Sequence, residues 1–305
     1  MATLVTGSSG FLGQFLVSHL KSLYPNETIV GCALNTPTGA NFHNEIVDLT
    51  DKTHVLEIVQ RIRPQKVFHL AGIAKVSKEI SFESYFFQNT LTTQYLLDAL
   101  ASLDSPVDFF LASSVHIYGN QTSTVNERSE AKPEGSYGFT KYLAEETLKS
   151  FTQKNSKIRG VVGRLYSCIG PNQPAGFVTS DVCKKIKELK KAGGKTLEVG
   201  PTDSYRRFTD ARDVIKTFPI LLNSTPQSRF EIFNIAPSKE TQVGAMIDLI
   251  LKIEGIEAQI ISQATHSNSF KGLKIDTSKM EKYIPQSSFR PLELTLKDIL
   301  DSTEC

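Results

Sequence analysis

Tyr137 and Lys141 place a phenol and an ammonium four residues apart, which on a helix puts both on one face. A free tyrosine titrates at about 10, too high for ready proton exchange at neutral pH. A neighbouring ammonium favours the phenolate and lowers that value. The pair therefore reads as a general acid for ketone reduction or a general base for alcohol oxidation. Such a spacing also arises by chance and gains weight only from its surroundings. Ser113 and Ser114 end the apolar run VDFFLASS, and open α/β sheets bind ligands at that carboxyl end of their strands. There the Ser114 hydroxyl would hold a carbonyl or carbinol oxygen against Tyr137; a plain strand-end serine is the other reading.

A second constellation lies at the start of the chain, in Thr6-Gly7-Ser8-Ser9-Gly10-Phe11-Leu12-Gly13. Glycines let a chain turn tightly and approach a pyrophosphate, while a following helix N-terminus supplies favourable partial charge. The spacing is GxxGxxG, a weak signal alone and a strong one between a strand and a helix. Gly7, Ser9, Gly10, Phe11, Leu12 and Gly13 are thus expected at a dinucleotide. A carboxylate ending the next strand would bind the ribose of NAD and repel the 2′-phosphate of NADP. This chain has Gly31-Cys32-Ala33-Leu34-Asn35 there, which tilts the expectation to NADPH, with NAD(H) as the alternative because no arginine stands there either. Asn35 is expected near that ribose. Asp48 and Leu49 would meet the adenine edge, unless Asp48 only caps the helix that follows.

These residues need elements to hold them. Residues 2–6 read as a buried parallel strand, and Phe11, Leu12, Phe15, Leu16 and Leu20 recur at helical spacing until Pro25. Strands are expected at 28–34, 45–47, 66–72, 107–114 and 158–166, with helices at 51–62, 83–102 and 136–152 between them. That alternation predicts a doubly wound α/β Rossmann sheet. Beyond Gly170-Pro171 the rhythm changes to a helix at 177–192 and a strand at 197–199. A helix at 213–222 and the strand EIFNIA return to the sheet. The expected division is a dinucleotide-binding domain over 1–170, completed by 206–235, and a smaller substrate lobe from 171–205 and 236–305.

Composition narrows the class. The chain has 305 residues, 40% hydrophobic and 22% charged, enough for an ordinary buried core. Its 34 basic and 32 acidic side chains give a net charge of +2, not the basic footprint of a nucleic-acid binder. No apolar run is long enough to span a bilayer, and the N-terminal residues are needed for the glycine motif rather than a leader. A cytoplasmic protein is expected, with no membrane partner. Cys32, Cys168, Cys183 and Cys305 lie far apart, so no metal site and no disulfide is expected.

Taken together the segments TGSSGFLG (6–13), VDLTD (47–51), FHLAG (68–72), SSVHIYG (113–119), YGFTK (137–141), RLYSCIGP (164–171) and RRFTDARDV (206–214) resemble the extended short-chain dehydrogenase/reductase family acting on nucleotide sugars, the NAD-dependent epimerases and dehydratases. The resemblance implies catalytic roles for Ser114, which stands five residues before the glycine of the family's "VYG" motif, and for Tyr137 and Lys141. The last two would also touch the nicotinamide end, Lys141 through the ribose hydroxyls. It implies cofactor contacts from Leu70, Ala71 and Gly72 as well.

Dehydratases of this family place an acid–base pair directly after the catalytic Ser or Thr; this chain has Val115 and His116, which disfavours dehydration. His116 is expected to position substrate. The stretches 170–186 and 206–214 are most similar to reductases of GDP-4-dehydro-6-deoxy-mannose. That likeness implies hydride delivery to a C4 ketone, with Arg206 on the diphosphate and Lys184 on the nucleotide side. Ser167 replaces an asparagine common in the family, which leaves the sugar open. A nucleotide-hexose 4-epimerase retaining NAD is the alternative, and a non-catalytic dinucleotide sensor a weaker one. The family also implies a homodimer, through the helices at 83–102 and 136–152; Tyr85, Phe86, Phe87, Leu96, Leu97 and Leu100 are its expected apolar residues on the first.

Overall fold

The computed structural model describes residues 1–36, 42–224, 227–262 and 272–303. Its first half runs β1 (Ala2–Thr6), α1 (Phe11–Leu23), β2 (Thr28–Ala33), β3 (His43–Ile46), α2 (Lys52–Ile62) and β4 (Lys66–His69). Then come α3 (Phe82–Tyr85), a π-helical stretch over Phe86–Leu91, α4 (Thr92–Ala101) and β5 (Val107–Ser114). A 3₁₀ turn (Val115–Tyr118) leads to α5 (Gly135–Lys154), β6 (Ile158–Leu165), β7 (Ser167–Ile169), α6 (Val178–Ala192) and β8 (Thr196–Val199). The remainder is β9 (Tyr205–Arg206), β10 (Phe208–Asp210), α7 (Ala211–Ser224), β11 (Phe230–Ile235), β12 (Thr241–Gln242), α8 (Val243–Glu254), β13 (Gln259–Ser262), α9 (Ser278–Glu281) and α10 (Leu292–Ser302).

Seven parallel strands form the main sheet in the order β11-β6-β5-β4-β1-β2-β3. The chain winds outward from β1 in one direction through β2 and β3, and in the other through β4, β5 and β6. The crevice between β1 and β4 is therefore the topological switch point where such sheets take ligands. Neighbouring residues of each strand serve opposite faces, as a pleat requires. Leu4, Val67 and Phe109 pack under α2, α4 and α5, while Val5, Phe68 and Phe110 pack under α1 and α7. A third core joins Val182, Cys183 and Ile186 of α6 to Met246, Ile247 and Ile250 of α8 and Leu296, Ile299 and Leu300 of α10. The parallel pair β8 and β13 closes it. No helix among the described residues is long and apolar enough to cross a membrane.

The alternating elements lie where hydrophobic spacing puts them, and three differences have physical causes. The strand expected over 66–72 ends at His69, because Leu70–Gly72 turn away to line the crevice, Gly72 with φ of 138°. The helix expected over 83–102 is interrupted by the π-helical stretch, whose Asn89 accepts from the amide of Ile73 at 2.8 Å. Tyr85, Leu96, Leu97 and Leu100 do not present a face to a second subunit: all four are buried, the three leucines within the chain's own core. What stays exposed is Phe82, Phe87 and Phe139, with the rings of Phe82 and Phe139 6.2 Å apart.

Candidate active site

β1 ends at Thr6, and Gly7, with φ of 69°, turns the chain toward α1. A Cβ on Gly7 would stand 2.7 Å from the amide nitrogen of Ala71, and one on Gly13 would collide with the carbonyl oxygen of Gly7. Both positions require glycine, one for the turn and one for close packing of helix on strand. The N-cap of α1 is Gly10, with no side-chain cap. The first-turn amides, those of Phe11, Leu12 and Gly13 among them, thus have no cap or helical acceptor and suit an anion.

In front of this turn lies a groove of about 950 Å³. Gly7, Ser9 and Gly10 form its floor; Asn35, Asp48 and Leu49 line one side; Leu70, Ala71 and Gly72 line another. Phe11, Leu12 and Gly13 are not among the residues that line it. Its size and its glycine floor fit a dinucleotide. Ser84, Phe87, Gln88 and Thr92 add a wall that the sequence did not suggest. Among the described residues, Asp48 is the only charged one in that lining. It accepts from the amide (2.9 Å) and hydroxyl (2.7 Å) of Thr50, while Asp51 caps α2 by accepting from Thr53 and His54. The helix-cap alternative for Asp48 is thus corrected: Asp51 has that role.

The second half of the site is a corner where β5, the 3₁₀ turn and α5 meet. Ser114 caps the turn, accepting from the His116 amide at 3.2 Å, and its hydroxyl lies 3.0 Å from His116 Nδ1. α5 comes close because Gly138 has no side chain: a Cβ there would stand 2.6 Å from the His116 carbonyl oxygen. Tyr137, one residue earlier, shares a hydrogen bond with Ser114. Its ring meets that of His116 edge-on at 5.3 Å and lies 6.0 Å from Tyr85. Lys141, one turn on, is buried and donates to the Ala112 carbonyl at 3.1 Å.

Burial dominates the acid–base properties of this corner. It pushes the Tyr137 phenol up to about 12, against the hydrogen bond from Ser114, with Cys168 and Tyr85 adding to the rise. The lowering of Tyr137 expected from its spacing to Lys141 is therefore reversed in sign, with desolvation the largest cause. Lys141 is lowered to about 8 by burial, against the attraction of Glu145. His116 is lowered to about 4, by burial and then by the charge of Arg206, and so is a neutral imidazole at physiological pH. Arg206, half-buried on β9, joins the corner through that interaction. Ser167 opens β7 directly before Cys168, which acts on Tyr137. Lys184 does not join them: it is exposed on α6 and faces Glu188 at 3.9 Å. Among the described residues no group of His, Cys, Asp or Glu could hold a metal ion.

The model of the NAD-dependent epimerase/dehydratase family matches residues 3–236, which span the groove, the corner and the sheet beneath them. The chain belongs to that family. Among its relatives, a UDP-glucose 4-epimerase of Mycoplasma genitalium is 25% identical over 279 residues, covering 82% of this chain and 80% of that one. A GDP-6-deoxy-D-mannose reductase of Pseudomonas aeruginosa is 26% identical over 301 residues, covering 97% and 93%. The Bacillus cereus UDP-glucuronic acid 4-epimerase, solved with UDP-glucuronic acid and NAD, superposes with a TM-score of 0.86 at 24% identity, covering 99% of this chain and 98% of that one. The RMD protein of Pseudomonas aeruginosa, solved with NADPH, gives 0.84 at 23% identity, with the same coverage. The epimerase/dehydratase family member described here is accordingly a nicotinamide-dependent enzyme.

Behind the corner of this epimerase/dehydratase protein lies a polar seam that its sequence did not reveal. Glu145 takes the Ser113 hydroxyl and a bidentate pair with Arg164, at 2.6 Å from Nη2 and 3.1 Å from Nε. Arg164 also donates to Tyr118 at 2.8 Å, and Tyr118 to Asn234 at 2.7 Å. The one available signal was the position of Glu145, four residues after Lys141 on the same helix face. Asn89 gave none, because its π-helical setting breaks the periodicity that sequence reading relies on.

Proposed function

We propose that this protein is an NADPH-dependent reductase of a 4-keto-6-deoxy nucleotide sugar, of the GDP-4-dehydro-6-deoxy-mannose type. The observation that carries this reading is the Ser114–Tyr137 hydrogen bond, standing beside His116 where a dehydratase needs a carboxylate. The cofactor, held along the glycine floor of the groove, would supply hydride for the sugar C4. Ser114 orients the C4 oxygen, and Tyr137, protonated at neutral pH with its pKa pushed up to about 12, holds the proton that oxygen must gain. Lys141, one helical turn from Tyr137, would stabilise the phenolate left behind and meet the nicotinamide ribose. His116, neutral because its pKa is near 4, fixes the Ser114 hydroxyl and is a weak base for removing a C5 proton. Arg206 would meet the diphosphate and Ser167 the sugar. The lobe built from 171–205 and 236–305 would hold the nucleotide, in a GDP-linked form, and a cytosolic setting belongs to the same proposal.

The cofactor preference rests on the neutral end of β2. Asn35 and Ser9 offer neutral donors to a 2′-phosphate, and the lining has neither a carboxylate at Asn35 nor a lysine or arginine. NADPH is expected to bind more tightly than NADH by a small margin. Purified protein with NADPH and GDP-4-dehydro-6-deoxy-mannose should oxidise the cofactor in step with sugar reduction. No net oxidation, together with tightly retained NAD and interconversion of a UDP-hexose, would assign the 4-epimerase reading. The likeness to UDP-sugar 4-epimerases favours that second reading.

A homodimer is part of the proposal, supported by the exposed Phe82 and Phe139 on adjacent helices. Sedimentation at micromolar concentration tests it, and a stable monomer would remove it.

A further inference from the structure

The buried seam contains charges that the proposed chemistry does not use. Lys141, Glu145 and Arg164 are 7%, 1% and 4% exposed, so two cations and one anion sit together away from water. Glu145 and Arg164 neutralise each other through the bidentate pair. That leaves one ammonium without a full countercharge, on the helix turn that follows Tyr137. Deprotonation of Tyr137 would bring the corner to neutrality. The seam also fixes geometry: Glu145 ties α5 to β5 through Ser113 and to β6 through Arg164.

We propose that Glu145 is a positioning residue for the reaction: by absorbing the charge of Arg164 and anchoring α5, it keeps the ammonium of Lys141 available to Tyr137 and to the cofactor ribose. The inference rests on the reading of Lys141 given above, but not on which sugar is reduced. On the elements packed around Lys141, Glu83 of α3, Asp98 of α4, Asp108 of β5, Glu146, Lys149 and Lys154 of α5, Lys66 of β4 and Arg159 of β6 stand at half-buried or exposed positions. The described groups at the corner and directly behind it are Tyr137 and Glu145 on α5, His69 on β4, His116 and Tyr118 on the 3₁₀ turn, Arg164 on β6, Cys168 on β7 and Tyr85 on α3. Burial holds His69 near 3 and His116 near 4, so both are neutral at physiological pH. Burial also raises Tyr118. Glu145 is then the one anion of that set, and its attraction opposes the desolvation that lowers Lys141. Without it, Lys141 would lose its proton at a lower pH.

The test is cofactor binding, read by the fluorescence of NADPH between pH 6 and about 10, so that it stands apart from any assignment of substrate. The wild-type protein should lose affinity as Lys141 deprotonates, with a midpoint near 8. In Glu145→Gln the midpoint should fall by about one unit, the low end expected for loss of a nearby opposite charge. Glu145→Gln strands a buried guanidinium and so will also lose stability. The double variant Glu145→Gln/Arg164→Met removes both charges and should bring melting temperature and midpoint back together toward wild type. Arg164→Met separates charge from packing: it leaves the Glu145 carboxylate to Lys141 alone, so the midpoint should rise above that of the wild type although the pair is broken. A packing role predicts a midpoint in Arg164→Met that is unchanged or lowered. That result overturns the proposal, as does a folded Glu145→Gln with an unmoved midpoint, or failure of both single variants to fold. If Glu145→Gln does not fold, the Arg164→Met midpoint decides, a rise supporting the proposal and no rise overturning it. A protein that titrates as described but reduces no 4-keto sugar would defeat the functional reading alone.

Discussion

The groove and the corner divide recognition from chemistry in opposite physical ways. The groove has a floor of glycine and small residues, and among the described residues its only charge is the exposed Asp48. On the proposed reading it would recognise the cofactor by close approach and by amide groups at a helix end, interactions that cost little desolvation. The corner, a few residues beyond the ends of the same sheet, concentrates Tyr137, His116, Lys141, Glu145 and Arg164 with little access to water. There desolvation is the leading influence on each of Tyr137, His116 and Lys141. A site of this kind binds through shape and reacts through buried charge. Substitutions in the two halves should therefore fail differently.

The largest effect should come from the corner. Tyr137→Phe removes one hydroxyl, leaves the glycine floor untouched, and should slow hydride transfer by about 10²–10⁴-fold. Cofactor affinity should stay within a few-fold of wild type. Stopped-flow measurement with a 4-keto nucleotide sugar separates the two; near-normal single-turnover rates would remove Tyr137 as the proton donor.

The groove should fail through packing. Gly13→Ala drives a methyl group into the Gly7 carbonyl oxygen, so α1 must shift off the turn. Overpacking of this sort costs about 1–3 kcal/mol. Melting temperature should drop and cofactor binding should be lost, whereas a variant binding NADPH normally would show that the floor is less rigid than its contacts imply.

How much of this was readable beforehand follows the same division. The strand–glycine–helix junction at 2–13 and the Tyr137/Lys141 spacing were legible, because each is local: a few residues dictate a turn or a helix face. The alternation up to β6 was legible from periodicity alone. Glu145 with Arg164 was not, since their pairing joins residues 19 positions apart on a helix and a strand, which no spacing rule encodes. The sign of the Tyr137 shift was misjudged for a related reason. Sequence shows which charge can be near a phenol, but not how little water is. The direction of Lys184 was not legible because a helix face is fixed by packing; α6 turns Val182, Cys183 and Ile186 inward and leaves Lys184 exposed beside Glu188.

A smaller effect should appear in acid stability. His69 and His116 have pKa values near 3 and 4 in the folded chain, below the ordinary value of 6.5. Below about 6.5 the unfolded chain therefore binds more protons than the native one, and stability rises with pH in that window. Lowering the pH from 6.5 toward 4 should lower the melting temperature progressively. His116→Gln should flatten part of that slope while leaving the melting temperature above pH 7 less changed than that at pH 5. A slope identical to wild type would mean that His116 titrates normally and that the corner is wetter than its burial indicates.

The smallest effect should be at Asp48, the point where the groove departs from its own neutrality. With Asp51 occupied as the α2 cap and the Asp48 side chain accepting from Thr50, the Asp48 carboxylate lines the groove, where the adenine edge was expected. An adenine amino group would donate to it, and asparagine in its place would still present an oxygen to accept. Asp48→Asn thus removes charge from an exposed interaction rather than the interaction itself. Exposed charge contributions run to about 0.2–1 kcal/mol, or about 1.4- to 5-fold in affinity at 1.4 kcal/mol per tenfold. Because NADH and NADPH carry the same adenine, both should weaken by the same small factor, and the ratio of their dissociation constants should not move. A ratio shifted toward NADPH would instead place Asp48 at the ribose, where its charge opposes a 2′-phosphate. The discrimination between cofactors would then come from this residue rather than from the uncharged end of β2.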